Sequence, residues 1–296
     1  MHTSESPAPV ADVLLATIGT GRRQYDEESP LLVAALAQRG LRAEIVAWDA
    51  PVQWGAAALV VVRSPWDYTE CHGRFLEWLR ATAARTCVVN DAELIAWNMH
   101  KGYLVELGRA GVPVVPTTLL RRGACAADQA AALREHGEDV VVKPAISAGA
   151  RGTILTGAVS EQAAAHLAGL LEDGDALIQP YVPAVAAGEV SLVLFGGVLS
   201  HAVRKLPASG DFRVQEEHGG TVVAHVAAAA EHELAASVLA AVPVAPAYAR
   251  IDVVTTARGP LLMEAELIEP ELFLAADRDA PARFAAVLAQ HAAARA

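Results

Sequence analysis

Apolar residues recur with two different spacings along the chain, and each spacing predicts a type of element. The short apolar runs at 13–18, 42–48, 57–63 and 87–90 are typical of β-strands. The segment 30–38 instead carries its apolar residues at helical spacing, and a glycine follows it. Strands that alternate with helices predict a small parallel α/β domain in the first third of the chain.

The last third of the chain shows a different pattern, in which pairs of apolar runs flank glycine turns. Residues 188–195 and 198–206 flank two glycines and predict one hairpin. Residues 250–254 and 261–267 flank a Gly-Pro pair and predict another. A shift in composition near 112–116 indicates a boundary between the α/β part and the rest of the chain.

The last hairpin concentrates charge on one face. Side chains of a strand alternate between faces, so Glu264 and Glu266 share a face, and folding the hairpin about residue 258 places Asp252 opposite Glu264. At about 5 Å and an effective dielectric constant of about 20, each like-charge pair costs roughly 3 kcal/mol. Carboxylate oxygens of this kind suit Mg²⁺, and Arg250 on the same face is placed to meet a phosphate group. The alternative to a magnesium site is that this face of the hairpin is exposed to solvent and binds no ligand.

Composition narrows the classes of function. The 296 residues are 53% hydrophobic and carry a net charge of −11, which disfavours nucleic acid as the main partner. No apolar run is long enough to span a membrane, and residues 2–9 resemble a flexible tail, not a signal peptide. The three cysteines lack CxxC spacing, which argues against structural zinc and suits a reducing cytoplasm.

The third predicted strand runs into a dense mixture of charged, hydroxyl and aromatic residues. Ligands of open α/β sheets favour the carboxyl ends of strands, where an arginine can hold a carboxylate with two hydrogen bonds and aromatic rings can wall a pocket. A helix-capping turn with its tryptophan in the core is the alternative. The candidate substrate residues are Arg63, Ser64, Trp66, Asp67 and Tyr68.

Candidate phosphate contacts begin with Lys143, at the end of the apolar strand 139–142, because an ammonium group is rarely buried unpaired. The loop of small residues that follows can fold its amides around phosphate oxygens. The alternative for the loop is an ordinary flexible turn, and the alternative for Lys143 is a lysine at the edge of a strand. The loop is not a Walker A motif, because the lysine precedes it. Its candidates are Ser147, Gly149, Arg151, Gly152 and Thr153.

The segment after the strand at 176–179 is extended and contains two prolines, so it offers free backbone groups to a flat ligand such as adenine. The residues concerned are Gln179, Pro180, Tyr181 and Val182. A dinucleotide fingerprint near the N-terminus is rejected. Gly19 and Gly21 begin the pattern, but Gln24 stands where the third glycine belongs.

These parts follow one another in a specific order: Lys101, Lys143 with its loop, the Gln179–Val182 linker, Glu189, Lys205, Arg213, Arg250 with Asp252, and Glu264 with Glu266. The order resembles the ATP-grasp superfamily over residues 98–275. The segments 26–36, 63–68, 97–103, 211–220 and 266–270 look like the bacterial branch that includes the O-ureido-serine cyclo-ligase of D-cycloserine biosynthesis.

The resemblance implies an α/β (α+β) fold in three parts. These are an N-terminal α/β domain on the substrate side (1–112), a central ATP-grasp lid domain (113–183) and a C-terminal antiparallel-sheet catalytic domain (184–296). It also implies roles for the candidates. Lys101, Lys143 and the loop would hold ATP phosphates, Gln179–Val182 the adenine, and Glu189 the ribose. Lys205, Arg213 and Arg250 would stabilise the reacting groups, and Asp252, Glu264 and Glu266 would bind Mg²⁺. The superfamily commonly has Asn where this chain has Glu266, which leaves Glu266 and Glu269 as alternative ligands.

The implied activity is an ATP-dependent carboxylate–amine ligase that works through an acyl-phosphate, in the branch case an intramolecular cyclisation for antibiotic biosynthesis. Three alternatives stay open from the sequence: an intermolecular amino-acid or dipeptide ligase, a non-catalytic ATP-binding module, and a Rossmann oxidoreductase, which the missing glycine disfavours. The expected partner is a small amino-acid-like substrate, with neither nucleic acid nor membrane. The sequence leaves the number of subunits open, a homodimer included.

Overall fold

The computed structural model describes residues 11–22, 26–215 and 218–294. The predicted tail at 2–9 and the position of Gln24 lie outside the described residues. Within those ranges the strands form three sheets, which occupy successive parts of the chain. No described helix is long and apolar enough to cross a membrane. The mixed α/β fold predicted from the sequence is confirmed, whereas the domain boundaries at 112 and 183 stay predictions.

The first sheet is parallel and has the strand order β2-β1-β3-β4. Its two central strands are fully buried and mainly apolar, as expected for a sheet covered by helices. The strands are β1 (Val13–Thr17), β2 (Ala43–Ala47), β3 (Leu59–Ser64) and β4 (Cys87–Val89), and the helices are α1 (Glu28–Ala37), α2 (His72–Ala83), α3 (Ala92–Asn98) and α4 (Tyr103–Arg109). Helices α3 and α4 are separated by a short break that contains Lys101.

The second sheet is antiparallel, and helices α5 and α6 contribute buried residues to its hydrophobic core. It consists of β5 (Thr118–Leu120), β6 (Asp139–Pro144), β7 (Ile154–Gly157) and β8 (Ala176–Pro180), in the order β5-β8-β6-β7, with α5 (Ala126–Glu135) and α6 (Glu161–Asp173). Neither α5 nor β7 was predicted. The first is an alanine-rich helix and the second a four-residue strand, and neither presents a clear apolar period.

The third sheet is antiparallel and places the hairpin of interest at its edge. Its strands are β9 (Glu189–Phe195), β10 (Val198–Leu206), β11 (Thr221–His225), β12 (Tyr248–Thr256) and β13 (Gly259–Glu266), in the order β11-β10-β9-β12-β13, with helices α7 (Ala229–Ala241) and α8 (Ala280–Ala293). Both predicted hairpins are present, β9 with β10 and β12 with β13.

The two faces of the third sheet have different neighbours. On β9, Val190 and Leu192 belong to the core shared with α4 and α7. Val193 lies on the opposite face, in the core formed with α1, α8 and the first sheet. Glu189 and Ser191 share that second face because side chains alternate along a strand. One end of this face is therefore covered by α8, while the other end carries polar residues.

Candidate active site

A cleft of about 730 Å³ opens where the three sheets meet. Strands of the second and third sheets contribute to its wall, together with the 3₁₀ turn that follows β3 and the break between α3 and α4. Most of the residues predicted from the sequence line it: Lys101, Lys143, Ser147, Gly149, Arg151, Thr153, Gln179, Pro180, Tyr181, Val182, Glu189, Lys205, Arg213, Arg250, Asp252, Glu264 and Glu266. The tertiary structure thus brings together candidates separated by more than 160 positions.

A β-bulge decides which side chains of the hairpin face the cleft. Asp252 pairs with Glu264, but the next residue, Val253, pairs with Leu262, so Met263 is the extra residue. Side chains of directly paired residues lie on the same face of a sheet, and a shift of one residue would turn Glu264 and Glu266 to the other face. The bulge therefore places both glutamates beside Asp252.

Asp252 is the central carboxylate of the cleft and is 2% exposed. It accepts hydrogen bonds from Arg250 Nε and Nη2 and from Ser191 Oγ, the last at 2.6 Å, and Lys205 Nζ lies 3.2 Å away. Burial by itself would raise the pKa of Asp252, but the charges of Arg250 and Lys205 hold it well below its usual range. Asp252 is therefore ionised near neutral pH.

The two glutamates of β13 are each paired with a cation. Glu264 contacts the ammonium group of Lys101, and Glu266 contacts the guanidinium group of Arg250. Burial opposes ionisation of Glu264, yet Lys101 and then Lys143 lower its pKa below the ordinary value. Within the described residues, no three His, Cys, Asp or Glu side chains are grouped so as to hold a metal ion. Each of these carboxylates instead faces lysine or arginine.

Two lysines reach the cleft from different elements. The backbone amide of Lys101 donates to the carbonyl of Ala145 at 2.8 Å, which ties the α3–α4 break to the end of β6. Lys143, on β6, forms no ion pair within the described ranges. Burial lowers its pKa and Lys101 lowers it further, while Glu264 opposes the shift. A third lysine, Lys205, bridges Glu189 at 2.6 Å and Asp252.

The remaining predicted ligand residues surround this cluster. Gln179 donates from Nε2 to Thr117 Oγ1, so its side chain is already engaged, and the Tyr181 amide donates to Asp139. Arg213 is held by Asp211 through Nε and Nη2. Arg151 pairs with Glu70 at 2.9 Å, which connects the loop after β6 to the 3₁₀ turn Trp66–Glu70.

Gly152 was predicted as a phosphate contact, but it does not line the cleft. Its backbone has φ of +71°, and a Cβ at this position would lie 2.9 Å from Pro144 Cγ. Only glycine adopts this conformation and fits this contact without strain. Gly152 is thus required by the turn, and the neighbouring residues of the loop form the cleft wall.

The structure also corrects the placement of Arg63, Ser64 and Asp67, since none of them lines the cleft. Asp67 accepts hydrogen bonds from the Gly19 amide and from Trp48 Nε1. Its carboxylate therefore holds together the loops at the carboxyl end of the first sheet. Ser64 hydrogen-bonds to Asp26 within the same sheet domain. Of the five candidate substrate residues, Trp66 and Tyr68 are the two that reach the cleft.

Arg63 is 1% exposed, and its Nη2 lies 3.1 Å from Glu28. Both terminal nitrogens donate to the carbonyl of Pro270 at 3.3 Å, and Glu28 accepts from the amides of Leu272 and Leu274. Arg63 and Glu28 therefore fasten the segment after β13 to the first sheet. They support the cleft from behind, and neither side chain lines it.

Replacing Arg63 by Ala is expected to lower the free energy of unfolding by about 3–5 kcal/mol, because Glu28 would be left buried without its cation. Urea unfolding measures this loss. Arg80→Ala, on the exposed face of α2, is the matched control and is expected to change stability by less than about 0.5 kcal/mol. A stable Arg63→Ala protein with only a raised KM for substrate would contradict this assignment.

Sequence reasoning missed four residues that hold the cleft together. Asn98 donates to the Ala265 carbonyl and accepts from the Leu267 amide, and the Tyr103 hydroxyl accepts from the Ala265 amide. Asn90 donates from Nδ2 to the carbonyls of Tyr248 and Leu267. Ser191 orients Asp252. An asparagine directly after apolar residues, as at 90 and 98, is the one sequence signal that could have identified these hydrogen-bonding residues, because a buried amide needs partners.

Besides Glu189, the neighbouring cleft carboxylates Glu266 and Glu269 have a raised pKa. Burial, opposed by Arg250 but supported by Glu264, raises the pKa of Glu266 to about 7. Burial together with the charge of Glu266 raises the pKa of Glu269 to about 8. The folded chain therefore holds protons on these two groups at pH values where the unfolded chain has already lost them.

The metal-free chain is accordingly expected to lose stability through these groups as pH rises from about 5 to about 9, because folded-state pKa values above the unfolded ones make deprotonation oppose folding. Melting temperatures in EDTA at several pH values measure the slope. The double variant Glu266→Gln/Glu269→Gln is expected to show a smaller slope of melting temperature against pH. Because both proteins contain the same histidines, the difference between the two slopes excludes the contribution of the histidines. Equal slopes for the two proteins would contradict the prediction.

Comparison with known proteins places the chain in a family. Residues 13–90 match the family described as "D-cycloserine synthetase DcsG, N-terminal domain", and residues 112–269 match "Prokaryotic glutathione synthetase, ATP-grasp domain". The cycloserine biosynthesis protein DcsG of Streptomyces lavendulae is 35% identical over 287 residues, covering 90% of this chain and 94% of the relative.

Two further relatives agree with this placement. The crystal structure of the D-cycloserine synthetase DcsG superposes with a TM-score of 0.86 at 31% identity, over 95% of this chain and 99% of that one. Glutathione synthetase of Prochlorococcus marinus (strain MIT 9313) is 28% identical over 63% of this chain and 70% of its own. With its cleft bounded by three sheets, this chain belongs to the ATP-grasp family of ATP-dependent carbon–nitrogen ligases, in the branch with the DcsG N-terminal domain.

Proposed function

We propose that this chain phosphorylates the carboxylate of an O-ureido-serine-like substrate with Mg·ATP. The ureido nitrogen bonded to oxygen then attacks the acyl carbon and displaces phosphate, which closes the ring. Hydrolysis of the carbamoyl group left on that nitrogen, released as carbamate that decomposes to CO₂ and ammonia, gives cycloserine. The observation that carries the proposal is the junction of the two matched regions. The cationic and acidic residues from β6, β9, β10, β12 and β13 line the same cleft as Trp66 and Tyr68 of the DcsG-like domain. A nucleotide and a small amino acid can therefore meet there.

The nucleotide would occupy the part of the cleft between the second and third sheets. Apolar side chains of Val141, Val185 and Met263 line this part and suit the faces of adenine. The Val182 amide makes no backbone hydrogen bond among the described residues, so it is free to bind the adenine edge. Glu189 would hold the ribose hydroxyls, and Lys101, Lys143 and the loop 147–153 would hold the phosphates.

The chemistry of the donor set fits magnesium. Asp252, Glu264 and Glu266 offer hard carboxylate oxygens on one face of the hairpin, which Mg²⁺ prefers together with phosphate oxygens. Their present partners, Lys101 and Arg250, are themselves suited to phosphate and carboxylate groups. When bound, Mg²⁺ would neutralise charge on the phosphate oxygens during transfer.

The cationic residues would act on the substrate side of the transferred group. Arg250 is 8% exposed and fixed by Asp252, by Glu266 and by the Glu271 carbonyl at 3.0 Å. Lys205 is fixed by Glu189 and Asp252. Rigid cations in a buried site stabilise the charge that develops on phosphoryl and tetrahedral carbon centres. Arg213, which is more exposed, would close over the γ-phosphate.

Phosphate release tests the proposal. The purified chain is mixed with Mg·ATP and a panel of amino acids that includes both enantiomers of O-ureido-serine, and cycloserine is sought by mass spectrometry. Phosphate and cycloserine formed without a second amine support cyclisation. Phosphate that appears only when a second amino acid is added would favour an intermolecular ligase. The similarity to glutathione synthetase is the observation that supports this second candidate. Phosphate from neither mixture would refute the proposed reaction.

A further inference from the structure

The wall of the cleft nearest the first sheet differs from the nucleotide side. It is formed by Trp66, Tyr68, Ile268, Glu269 and Phe273, so it is mainly aromatic and apolar. Trp66 Nε1 donates to the backbone carbonyl of Glu269 at 3.1 Å, which holds the segment after β13 against the 3₁₀ turn at 66–70. One acidic side chain therefore stands in an apolar corner.

Glu269 is 9% exposed, and its carboxylate makes no ion pair or side-chain hydrogen bond with another residue in the ranges that the structure describes. Four other carboxylates of the cleft each have a cation: Lys205 for Glu189, Arg250 for Asp252, Lys101 for Glu264 and Arg250 for Glu266. A buried carboxylate without a partner is costly, because it has lost its water and gained no compensating charge. Glu269 thus calls for a cation that comes with a ligand.

The surroundings of Glu269 favour an ammonium group over a metal ion. Mg²⁺ needs about six oxygen ligands and keeps its waters, whereas this corner offers mainly aromatic and aliphatic side chains, with the charges of Glu266 and Lys101 acting on Glu269 from nearby. An ammonium group can be satisfied by one carboxylate and the faces of aromatic rings. Tyr68 lies within the field of Glu269, since burial and then the charge of Glu269 raise the pKa of its hydroxyl.

We propose that Glu269 receives the α-ammonium group of the amino-acid substrate, with Trp66 and Tyr68 beside it. This inference rests on the proposed function and names how its substrate is recognised. In an α-amino acid the ammonium group and the carboxylate are attached to one carbon atom. Fixing the ammonium group at Glu269 therefore keeps the carboxylate in the cleft that Arg250 also lines, and Glu269 is a specificity-determining residue.

The test pairs a variant with a substrate analogue. Phosphate release is measured with O-ureido-serine and with 3-(ureidooxy)propanoate, which lacks only the α-amino group. The change Glu269→Gln is expected to raise KM for O-ureido-serine roughly 30-fold or more, since one partner of a buried charge pair is removed. KM for the desamino analogue, KM for ATP and the Mg²⁺ concentration for half-maximal rate are expected to stay within about twofold, because none of them involves the ammonium contact. Glu172→Gln, an exposed carboxylate on α6, is the control.

Stability provides a second readout. Glu269→Gln is expected to melt no lower than the wild-type chain, because Gln keeps the size of the side chain and replaces a carboxyl group that burial and Glu266 already keep from ionising. Equal increases in KM for both substrates, or a lower melting temperature with unchanged KM, would overturn the inference in favour of a structural role. A higher Mg²⁺ requirement at unchanged substrate KM would overturn it in favour of a metal ligand.

The inference can fail independently of the proposed reaction. If the wild-type chain releases no phosphate, the reaction is refuted, but binding still tests Glu269. Calorimetric titration of O-ureido-serine into the chain saturated with Mg²⁺ and a non-hydrolysable ATP analogue is expected to show weaker binding for Glu269→Gln. Equal affinity of the two proteins, or no heat of binding with the wild-type chain, would overturn the inference.

Discussion

Replacing Glu264 by Gln is expected to lower Mg-dependent turnover by more than about 100-fold, because even outer-shell partners of a metal cost 10–100-fold when they are changed. Gln keeps the size of the side chain but loses one anionic oxygen ligand. The change in stability is expected to be small. Lys101 loses its partner, but the repulsion between Glu264 and the buried charge of Asp252 disappears as well.

Initial rates over a range of Mg²⁺ concentrations, with the melting temperature of each protein, measure these effects. The exposed Glu172→Gln is the matched control and is expected to behave as the wild-type chain. A large fall in melting temperature with turnover preserved would instead assign Glu264 to the ion pair with Lys101 alone, as a structural contact between the α3–α4 break and β13.

Arg250→Met is expected to have a larger effect, since it removes the cation shared by Asp252 and Glu266. Turnover should fall by more than about 1000-fold, because a buried charge next to the reacting groups is lost. The free energy of unfolding should fall by about 3–5 kcal/mol, because two buried carboxylates lose their counter-ion. Turnover and stability both fall because Arg250 neutralises buried carboxylates and also faces the proposed reacting groups.

The pH dependence of this loss has a definite sign. In the wild-type chain the pKa of Asp252 is held below its unfolded value, so the carboxylate contributes stability at neutral pH that disappears only in acid. Without Arg250, Lys205 still lowers the pKa of Asp252, but Glu266 loses the cation that opposes the effect of its burial. The pKa of Glu266, about 7 in the wild-type chain, therefore rises further, and the folded variant is penalised more as pH rises. Urea unfolding is therefore expected to show a smaller difference from wild type at pH about 5 than at pH about 8.

Arg250→Lys separates the two roles. It keeps the charge but loses the paired hydrogen bonds of Nε and Nη2 to Asp252, so it is expected to recover much of the stability and little of the turnover. A difference in unfolding free energy below about 1 kcal/mol for Arg250→Met would mean that water or another cation compensates Asp252 and Glu266.

The alternation of side chains in the third sheet explains why the expected effects on activity are limited to a few residues. Along β12, Ile251 and Val253 pack into the core with α4 and α7, while Arg250 and Asp252 face the cleft. Each strand thus stabilises the fold with one face and supplies charged groups with the other. Substitutions on the apolar face are expected to act on stability, and those on the cleft face on activity first.

The amino-acid sequence alone determined the strands and hairpins of the third sheet, because alternation with a period of two is a local property of the chain. It also predicted that Glu264, Glu266, Asp252 and Arg250 share a face, since side-chain direction follows from spacing. The order of lysines, small-residue loop and acidic strands was sufficient to suggest the family, because each motif is short and contiguous.

Only the tertiary structure decided which polar residues meet. Arg63 resembles a substrate contact in sequence, yet it is buried against Glu28 and Pro270, because the segment after β13 crosses the end of β3. The bulge at Met263 and the clamp formed by Asn98 depend on pairing between distant segments, which no local pattern encodes. Ion pairs and solvent access arise from such long-range packing, so the sequence supplied the candidates and the fold assigned them their places.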